Sequence, residues 1–490
     1  MSLQIADLSC GERRRALAAA LALACMPTSA QAHAWNIPYF LPVPLWLYAY
    51  AATGTLIISF MILMFAPSAR MPAIGPRPAA RKALRIPAGA LHAGQIAIAL
   101  FLALLAVAGM AGTQNPFQNI SMSGFWIWFY LGSIYVSAVF GDLYAFVNPF
   151  CWMLRIAARI FPAIEIGRYR YDRRLAFYPA LAAYGALIAL ELFGIGKPGE
   201  VSLFLLAYAA YAVAVSVCFG REVWVKYFDA LGLLCRLCAK LSPLKWLPLK
   251  GGDVAIQFRN PIADMARDDR SPISIAAFLS FMLASTAYDA LRDTVPWNRF
   301  FWGSIYPHVV RHVPALGTNY AHSGDALLIW QWTAFAATAA AYYLFFRLIC
   351  SLQARQSQSS LNGKALARKF CVTLLPIALF YNVSHYFTLF IGQGRQLLAL
   401  VSDPLGLGWR LLPTVPSGDT AAPVINMGYI WHAQVLLILA GHVLSVYVTH
   451  VITTRDRELA RDGVIAQLPL LVLTIALTIS GLWILSLPLA

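Results

Sequence analysis

Residues 91–112 read LHAGQIAIALFLALLAVAGMAG, and this stretch decides the fold. It contains no Asp, Glu, Lys or Arg. Because an α-helix rises about 1.5 Å per residue, about 20 apolar residues are needed to cross the hydrocarbon core of a bilayer. The stretch therefore predicts a membrane-spanning helix.

Nine other apolar runs of similar length occur along the chain. They cover 46–66, 125–148, 175–195, 201–219, 273–292, 326–350, 371–393, 428–452 and 464–487. Hydrophobic residues make up 60% of the 490 residues and charged residues 12%, whereas a soluble domain carries about 25% charged residues. We therefore predict an all-α fold, a polytopic transmembrane helix bundle of about ten spans. It would form a single domain over 33–490, with the lipid bilayer as its partner.

The N-terminus has the features of a cleavable signal peptide over 1–32. Three arginines at 13–15 precede the apolar run 16–25, and Ala30-Gln31-Ala32 matches a small-residue cleavage site. Cleavage would leave His33 as the first residue, with an amine and an imidazole, which are donors that Cu(II) prefers. Alternatively, His33 simply happens to follow the cleavage site.

The basic residues predict how the chain is oriented. Of the 37 Lys and Arg, 28 fall in loops on one side of the predicted spans and 6 on the other. Because cytoplasmic loops are enriched in Lys and Arg, loop 220–272 is predicted to be cytoplasmic and loops 293–325 and 394–427 to be outside. We expect a bacterial inner (plasma) membrane protein with both mature termini outside. The spread of these charges over short loops argues against a nucleic-acid partner.

The cysteines offer a weak zinc signal in the cytoplasmic loop. Cys235 and Cys238 form a single C-x-x-C pair, without the second pair that a zinc site needs. Apolar residues recur at helical spacing through this segment, with basic residues opposite them. We therefore predict an amphipathic helix that lies on the anionic inner leaflet.

Histidines gather on the predicted outer side. His308 and His312 stand one helical turn apart, which is suitable spacing for two ligands of one metal ion. Zinc or copper would accept imidazole and carboxylate donors. The candidate ligands are His33, His308, His312, His322, His385 and His432, and the candidate catalytic carboxylates are Asp289 and Asp325. Alternatively, His308 and His312 are surface residues beside interfacial aromatics.

Two further groups of polar residues lie inside predicted spans. His385 follows Asn382 by three residues, so the two share a helix face, which indicates either a functional cavity or an interhelical hydrogen bond. His432, His442 and His450 lie along one side of another span. A second alternative function is therefore a haem-bearing redox protein, in which histidines on different helices would bind the haem.

Several stretches resemble a bacterial membrane family, the fenitrothion hydrolases. They are His33-Ala34-Trp35, 41–48, Gly141-Asp142, Asn148-Pro149, 384–388, 402–409, 441–443 and 467–469. Members of this family often begin with His-Ala-His-Gly, whereas Trp35 stands here in place of the second histidine.

The resemblance implies a membrane-bound hydrolase that cleaves a phosphotriester or phosphorothioate and releases a nitrophenol. Its substrate would be small and apolar, so it could reach an outer site from the bilayer. A metal ion there would polarise the phosphoryl group and activate water. A transporter or copper-handling protein is the alternative, because it would also gather histidines at the outer face.

Overall fold

The structure is a computed structural model that describes residues 44–65, 84–267, 271–357, 359–413 and 427–489. The signal peptide predicted over 1–32 and His33 lie outside these residues. Ten main helices can be followed along the described chain. They are α1 (Leu45–Phe65), α2 (Ala88–Ala111), α3 (Ile120–Phe140), α4 (Tyr178–Phe193), α5 (Pro198–Phe219), α6 (Ile273–Arg292), α7 (Tyr320–Gln356), α8 (Gly363–His385), α9 (Met427–Arg455) and α10 (Leu468–Ser486).

Nine of these helices are long and apolar enough to cross a membrane, within the described part of the chain. The tenth, α4, is apolar but has only 16 residues. The prediction of an all-α polytopic bundle is therefore confirmed. Each predicted span corresponds to one main helix, although several boundaries differ.

One of the largest boundary differences is at the end of α3, which was predicted to continue to residue 148. The helix ends at Phe140 because Gly141 adopts φ +88°, a conformation that favours glycine. A Cβ at this position would also lie 2.7 Å from the carbonyl oxygen of Leu244. The chain therefore turns where another segment approaches its backbone closely.

Helices α6 and α8 form the centre of the bundle. In the most apolar 18-residue stretch of each helix, 78% of the residues are buried by protein, compared with 17% in α1. Helix α8 packs extensively along α9, and α6 packs against α7 and α8. Because lipid is as apolar as the protein interior, close packing and interhelical hydrogen bonds hold such helices together. Polar residues on α6 and α8 are therefore enclosed by protein on most sides.

A small antiparallel sheet at one end of the bundle is an addition to the predicted architecture. It consists of β1 (Leu84–Ile86), β2 (Leu244–Pro248) and β3 (Val254–Phe258), in the order β1-β3-β2. The Trp246 indole donates a hydrogen bond to the Phe140 carbonyl at 2.7 Å, which fixes the sheet to the end of α3. We call this the sheet end of the bundle.

The prediction that an amphipathic helix around Cys235 lies on the membrane surface is wrong. A helix does form, over Ala230–Cys238, but both of its faces are buried, and Leu233, Cys235 and Leu237 are each at most 3% exposed. It packs against α3, α4 and α8 rather than lying on a membrane surface. We call it the inner helix.

Asp229 begins the inner helix and is fully buried. Its carboxylate accepts hydrogen bonds from the Gly232 amide at 3.1 Å, the Tyr208 hydroxyl at 2.9 Å and the Asn148 side chain at 2.7 Å. The first of these satisfies an amide that the helix itself leaves unbonded. The other two attach the inner helix to α5 and to the segment after α3.

Shorter helices occupy the connections. They are Tyr144–Val147, Pro149–Ile160, Ala163–Ile166, Arg173–Leu175, Arg221–Val223, Trp224–Phe228, Ala239–Leu241, Lys250–Gly252, Pro261–Met265, Val295–Phe300, Phe301–Ile305, Tyr306–His312, Pro314–Gly317, Phe387–Gly392, Gln393–Gln396, Leu397–Ser402 and Leu459–Asp462.

Candidate functional site

Asp289 and His385 meet inside the bundle. Asp289 lies in the last turn of α6 and His385 is the last residue of α8. The imidazole donates from Nε2 to Asp289 Oδ2 at 2.8 Å, and the two side chains are only 4% and 11% exposed. The structure thus brings together one predicted catalytic carboxylate and one predicted metal ligand as a direct pair.

Tyr386 connects this pair to a second carboxylate. Its hydroxyl donates to Glu191 Oε1 at 2.6 Å and lies 3.5 Å from Asp289 Oδ2. The other carboxylate oxygen, Glu191 Oε2, is buried and has no hydrogen-bond partner among the described residues. An unsatisfied buried acceptor is uncommon in folded proteins, so it requires an explanation.

Arg292 supplies a positive charge beside the two carboxylates. Its Nε lies 3.6 Å from Asp289 Oδ1 and 3.5 Å from Asp293 Oδ1, and its Nη1 donates to the Leu192 carbonyl. The guanidinium therefore joins the ends of α4 and α6. We call Glu191, Asp289, Arg292, His385 and Tyr386 the polar cluster.

More polar side chains surround a narrow space beside the polar cluster. Five of them, contributed by α3, α4, α6 and α8, are Tyr130, Tyr184, Ser285, Thr286 and Asn382. The space between them does not admit a water molecule. A preformed pocket for a drug-sized ligand has a volume of about 300 to 1,000 Å³. This region is therefore closed in the observed conformation.

The backbone is irregular on two sides of the polar cluster. Residues Gly124–Leu131 of α3 form a π-helix that includes Tyr130. Helix α8 stops at His385, and a separate helix, Phe387–Gly392, begins after Tyr386. π-Helical turns occur often at functional sites, and interrupted membrane helices often line substrate or ion sites.

The other predicted ligands lie elsewhere. His308 and His312 form a pair on an exposed helix, His322 bonds through Nδ1 to Thr318 and Ala315, and His432 bonds through Nδ1 to the Gly428 carbonyl. Asp325 is exposed near the start of α7. In the described ranges, no group of three or more His, Cys, Asp or Glu residues could hold a metal ion. The predicted ligands therefore do not meet as one metal centre there, and we derive no catalytic step through a metal ion.

The histidines of α9 do not share a site either. The His442 ring donates from Nδ1 to the Ile438 carbonyl at 2.7 Å, and His450 Nδ1 lies 3.2 Å from Gln467 Oε1. His442 is buried, and its Nε2 has no hydrogen-bond partner among the described residues.

Sequence reasoning did not assign Glu191, Arg292 or Tyr386 to the site. Glu191 could have been found from the sequence, because it is the only charged residue in the predicted span 175–195. Ionisable residues inside membrane spans are costly and usually functional. Tyr386 gave no comparable signal because the chain contains 22 tyrosines.

Comparison with known proteins gives no match: no family model, no curated protein and no solved structure aligns significantly with the chain.

Proposed function

We propose that the protein is a proton-linked membrane transporter whose polar cluster binds and releases the coupling proton. The observation that supports this most is the hydrogen-bonded series from His385 through Asp289 and Tyr386 to Glu191. Glu191, Asp289 and His385 come from the apolar helices α4, α6 and α8, and Tyr386 directly follows α8. Burying them is unfavourable, and ionisable groups in such positions commonly form proton relays.

The atoms of the polar cluster are arranged for proton transfer. The Tyr386 hydroxyl faces both carboxylates, at 2.6 Å and 3.5 Å, so rotation of its single hydrogen redirects its bond from Glu191 to Asp289. Glu191 Oε2, which lacks a partner among the described residues, is the position we assign to an incoming proton. Protonation there would remove the cost of a buried carboxylate charge.

Protonation of Asp289 would also change how the helices attract one another. As a carboxylate, Asp289 attracts Arg292 and the His385 ring, and Arg292 in turn binds the end of α4. A proton on Asp289 weakens both attractions and so loosens α4 and α8 from α6. A transporter needs such a link, because the bound proton must favour one conformation over another.

The closed packing also favours transport over catalysis in this conformation. A transporter passes through occluded states, whereas a hydrolase needs space for water and substrate beside its general base. Among the described residues, the polar cluster provides no such space, and the break in the helix at Tyr386 gives α8 a place to bend.

The proposal can be tested in proteoliposomes that contain a pH-sensitive dye. Panels of amino acids, sugars, organic acids and divalent metal ions would be added outside under a potassium–valinomycin voltage clamp. We expect at least one solute to drive proton movement, and Asp289→Asn and Glu191→Gln to abolish it. Asp325→Asn, which changes an exposed carboxylate, is the matched control. Proton movement equal to that of empty liposomes for every solute would contradict the proposal.

Organophosphorus hydrolysis, implied by the family resemblance, is the second candidate function. The contact between Asp289 and His385 favours it, because a carboxylate beside an imidazole is a common general-base arrangement. His385 would take a proton from water, the water oxygen would bond to phosphorus, and the nitrophenolate would leave as the phosphorus–oxygen bond breaks.

Hydrolysis has a different readout from transport. Washed membranes would be given fenitrothion, and coloured nitrophenolate would be measured with and without a chelator. If the protein is this hydrolase, release exceeds that of empty-vector membranes and is lost in Asp289→Asn. Release that survives Asp289→Asn would exclude this dyad, and sensitivity to the chelator would indicate a metal-dependent reaction.

A further inference from the structure

The helix Tyr306–His312 carries two histidines side by side on its exposed surface. The ring centroids of His308 and His312 are 4.5 Å apart, and both residues are exposed. They belong to the segment between α6 and α7, whereas Asp289 and His385 lie inside the bundle. This pair is therefore separate from the polar cluster and from the function proposed for it.

The hydrogen bonding of His312 sets which ring nitrogen is available. Its Nδ1 lies 2.9 Å from the His308 carbonyl oxygen, which can only accept, so Nδ1 carries the hydrogen. The neutral ring then has its lone pair on Nε2. Metal-binding histidines commonly donate their second nitrogen to a backbone carbonyl, which fixes the ring and its tautomer.

The helix holds the two rings at a fixed spacing. Pro307 stands in its first turn, where a missing amide hydrogen does no harm, and the Tyr306 hydroxyl donates to the Leu316 carbonyl at 3.1 Å. This bond attaches the start of the helix to the turn that follows it. Two imidazoles one turn apart can both reach an ion about 2.0 to 2.1 Å from each nitrogen.

We propose that His308 and His312 together bind one divalent transition-metal ion, zinc or copper, at the surface of the protein. The donors are imidazole nitrogens, which zinc and copper accept. Calcium and magnesium prefer oxygen ligands, so this chemistry selects against them. Within the described ranges, no third His, Cys, Asp or Glu joins the pair, so the proposed site has two protein ligands there.

The test uses the full-length protein in detergent, stripped of metal and carrying no polyhistidine tag. Zinc binding is measured by competition with a chromophoric chelator, and copper binding by electron paramagnetic resonance. We expect His308→Ala/His312→Ala to lose one bound equivalent and His312→Ala to bind at least about tenfold more weakly. His322→Ala, which changes a neighbouring histidine outside the pair, should bind as the unchanged protein does.

A second measurement guards against a folding defect. Zinc should raise the unfolding temperature of the unchanged protein, because an ion that binds only the folded state stabilises it. The double variant should unfold at the same temperature as the metal-free protein and show no rise with zinc. Equal stoichiometry in the double variant, or loss of the equivalent in His322→Ala, would overturn the two-histidine site.

Discussion

At the scale of single residues, Tyr386 is the connection on which the polar cluster depends. Its hydroxyl contacts both Glu191 and Asp289. The hydroxyl lies 2.6 Å from Glu191 Oε1 and 3.5 Å from Asp289 Oδ2, so it offers a path for proton exchange between the two carboxylates. Removing this hydroxyl while keeping the ring therefore tests the proton link without removing the packing of the side chain.

We predict that Tyr386→Phe greatly reduces proton movement in proteoliposomes. The ring remains and keeps its packing, but Glu191 loses its hydrogen-bond donor, which should lower stability by about 1 to 3 kcal/mol. Tyr50→Phe on α1, where the residue is 70% exposed, is the matched control. Proton movement that is unchanged in Tyr386→Phe would show that the cluster works without this link.

The sequence predicted part of the cluster at this scale. Asp289 and His385 were assigned to one site because both occur near the same end of their spans. Arg292 and Tyr386 were missed because the contacts depend on how α4, α6 and α8 are rotated about their axes. Hydropathy defines where a helix lies in the sequence but does not define that rotation.

At the scale of helices, α8 and α9 pack closely at Gly441. A Cβ at this position would lie 2.6 Å from the Phe380 Cβ and 2.9 Å from the Pro376 carbonyl oxygen. Backbone atoms cannot move away as freely as the end of a long side chain. The glycine is therefore needed for the close approach of the two helices.

We predict that Gly441→Ala destabilises the protein by about 1 to 3 kcal/mol, the usual range for overpacking. Gly54→Ala on α1 is the matched control, since a Cβ there meets nothing within 4 Å and alanine favours a helix. The unfolding temperature of both variants should be measured in detergent. A lower temperature for Gly54→Ala than for Gly441→Ala would contradict the packing argument.

An ion pair also joins α8 to the end of α9. Lys369 contacts Asp456, and both side chains are at most 20% exposed. Burial alone would raise the pKa of Asp456, but the hydrogen bond and charge of Lys369 and the amides of Leu459 and Glu458 lower it overall. The stability from this pair is therefore present above the ordinary Asp pKa and is lost as the pH falls through the lowered value.

We predict that Lys369→Met lowers stability at neutral pH by about 1 to 2 kcal/mol and reduces the loss of stability on acidification. The unfolding temperature would be recorded between pH 7 and pH 3. Exposed Lys364 provides the control variant Lys364→Met. The same pH dependence in Lys369→Met and in the unchanged protein would exclude the ion pair as its source.

At the scale of the whole molecule, hydropathy predicted the bundle well because each predicted span is one long and mainly apolar run. It failed for the inner helix and the sheet, since their positions are set by contacts between distant segments. Leu233 and Leu237 lie on the face of the inner helix opposite Cys235, and they are buried as well. The apolar spacing in the sequence indicated only one buried face, so it could not predict that protein also packs against the other.

The distribution of basic residues makes a prediction about the whole molecule that labelling can test. Lys250 lies at the sheet end and Asp325 near the start of α7, and both are exposed. We expect a membrane-impermeant maleimide to label Asp325→Cys in intact cells and Lys250→Cys only after permeabilisation. The opposite pattern would reverse the predicted orientation.

The inner helix also has a consequence for how the chain is made. Its nine residues extend about 13 Å, which is less than half of a bilayer core, so it cannot be released into lipid as a span. The ribosome synthesises α3 and α4 before the inner helix and α8 after it. The inner helix is therefore made before one of the helices against which it packs. Its packing is completed only after α8 has been made. Chains truncated before α8 should therefore react faster with thiol reagents at Cys235 and Cys238 than the finished protein, in which both are buried.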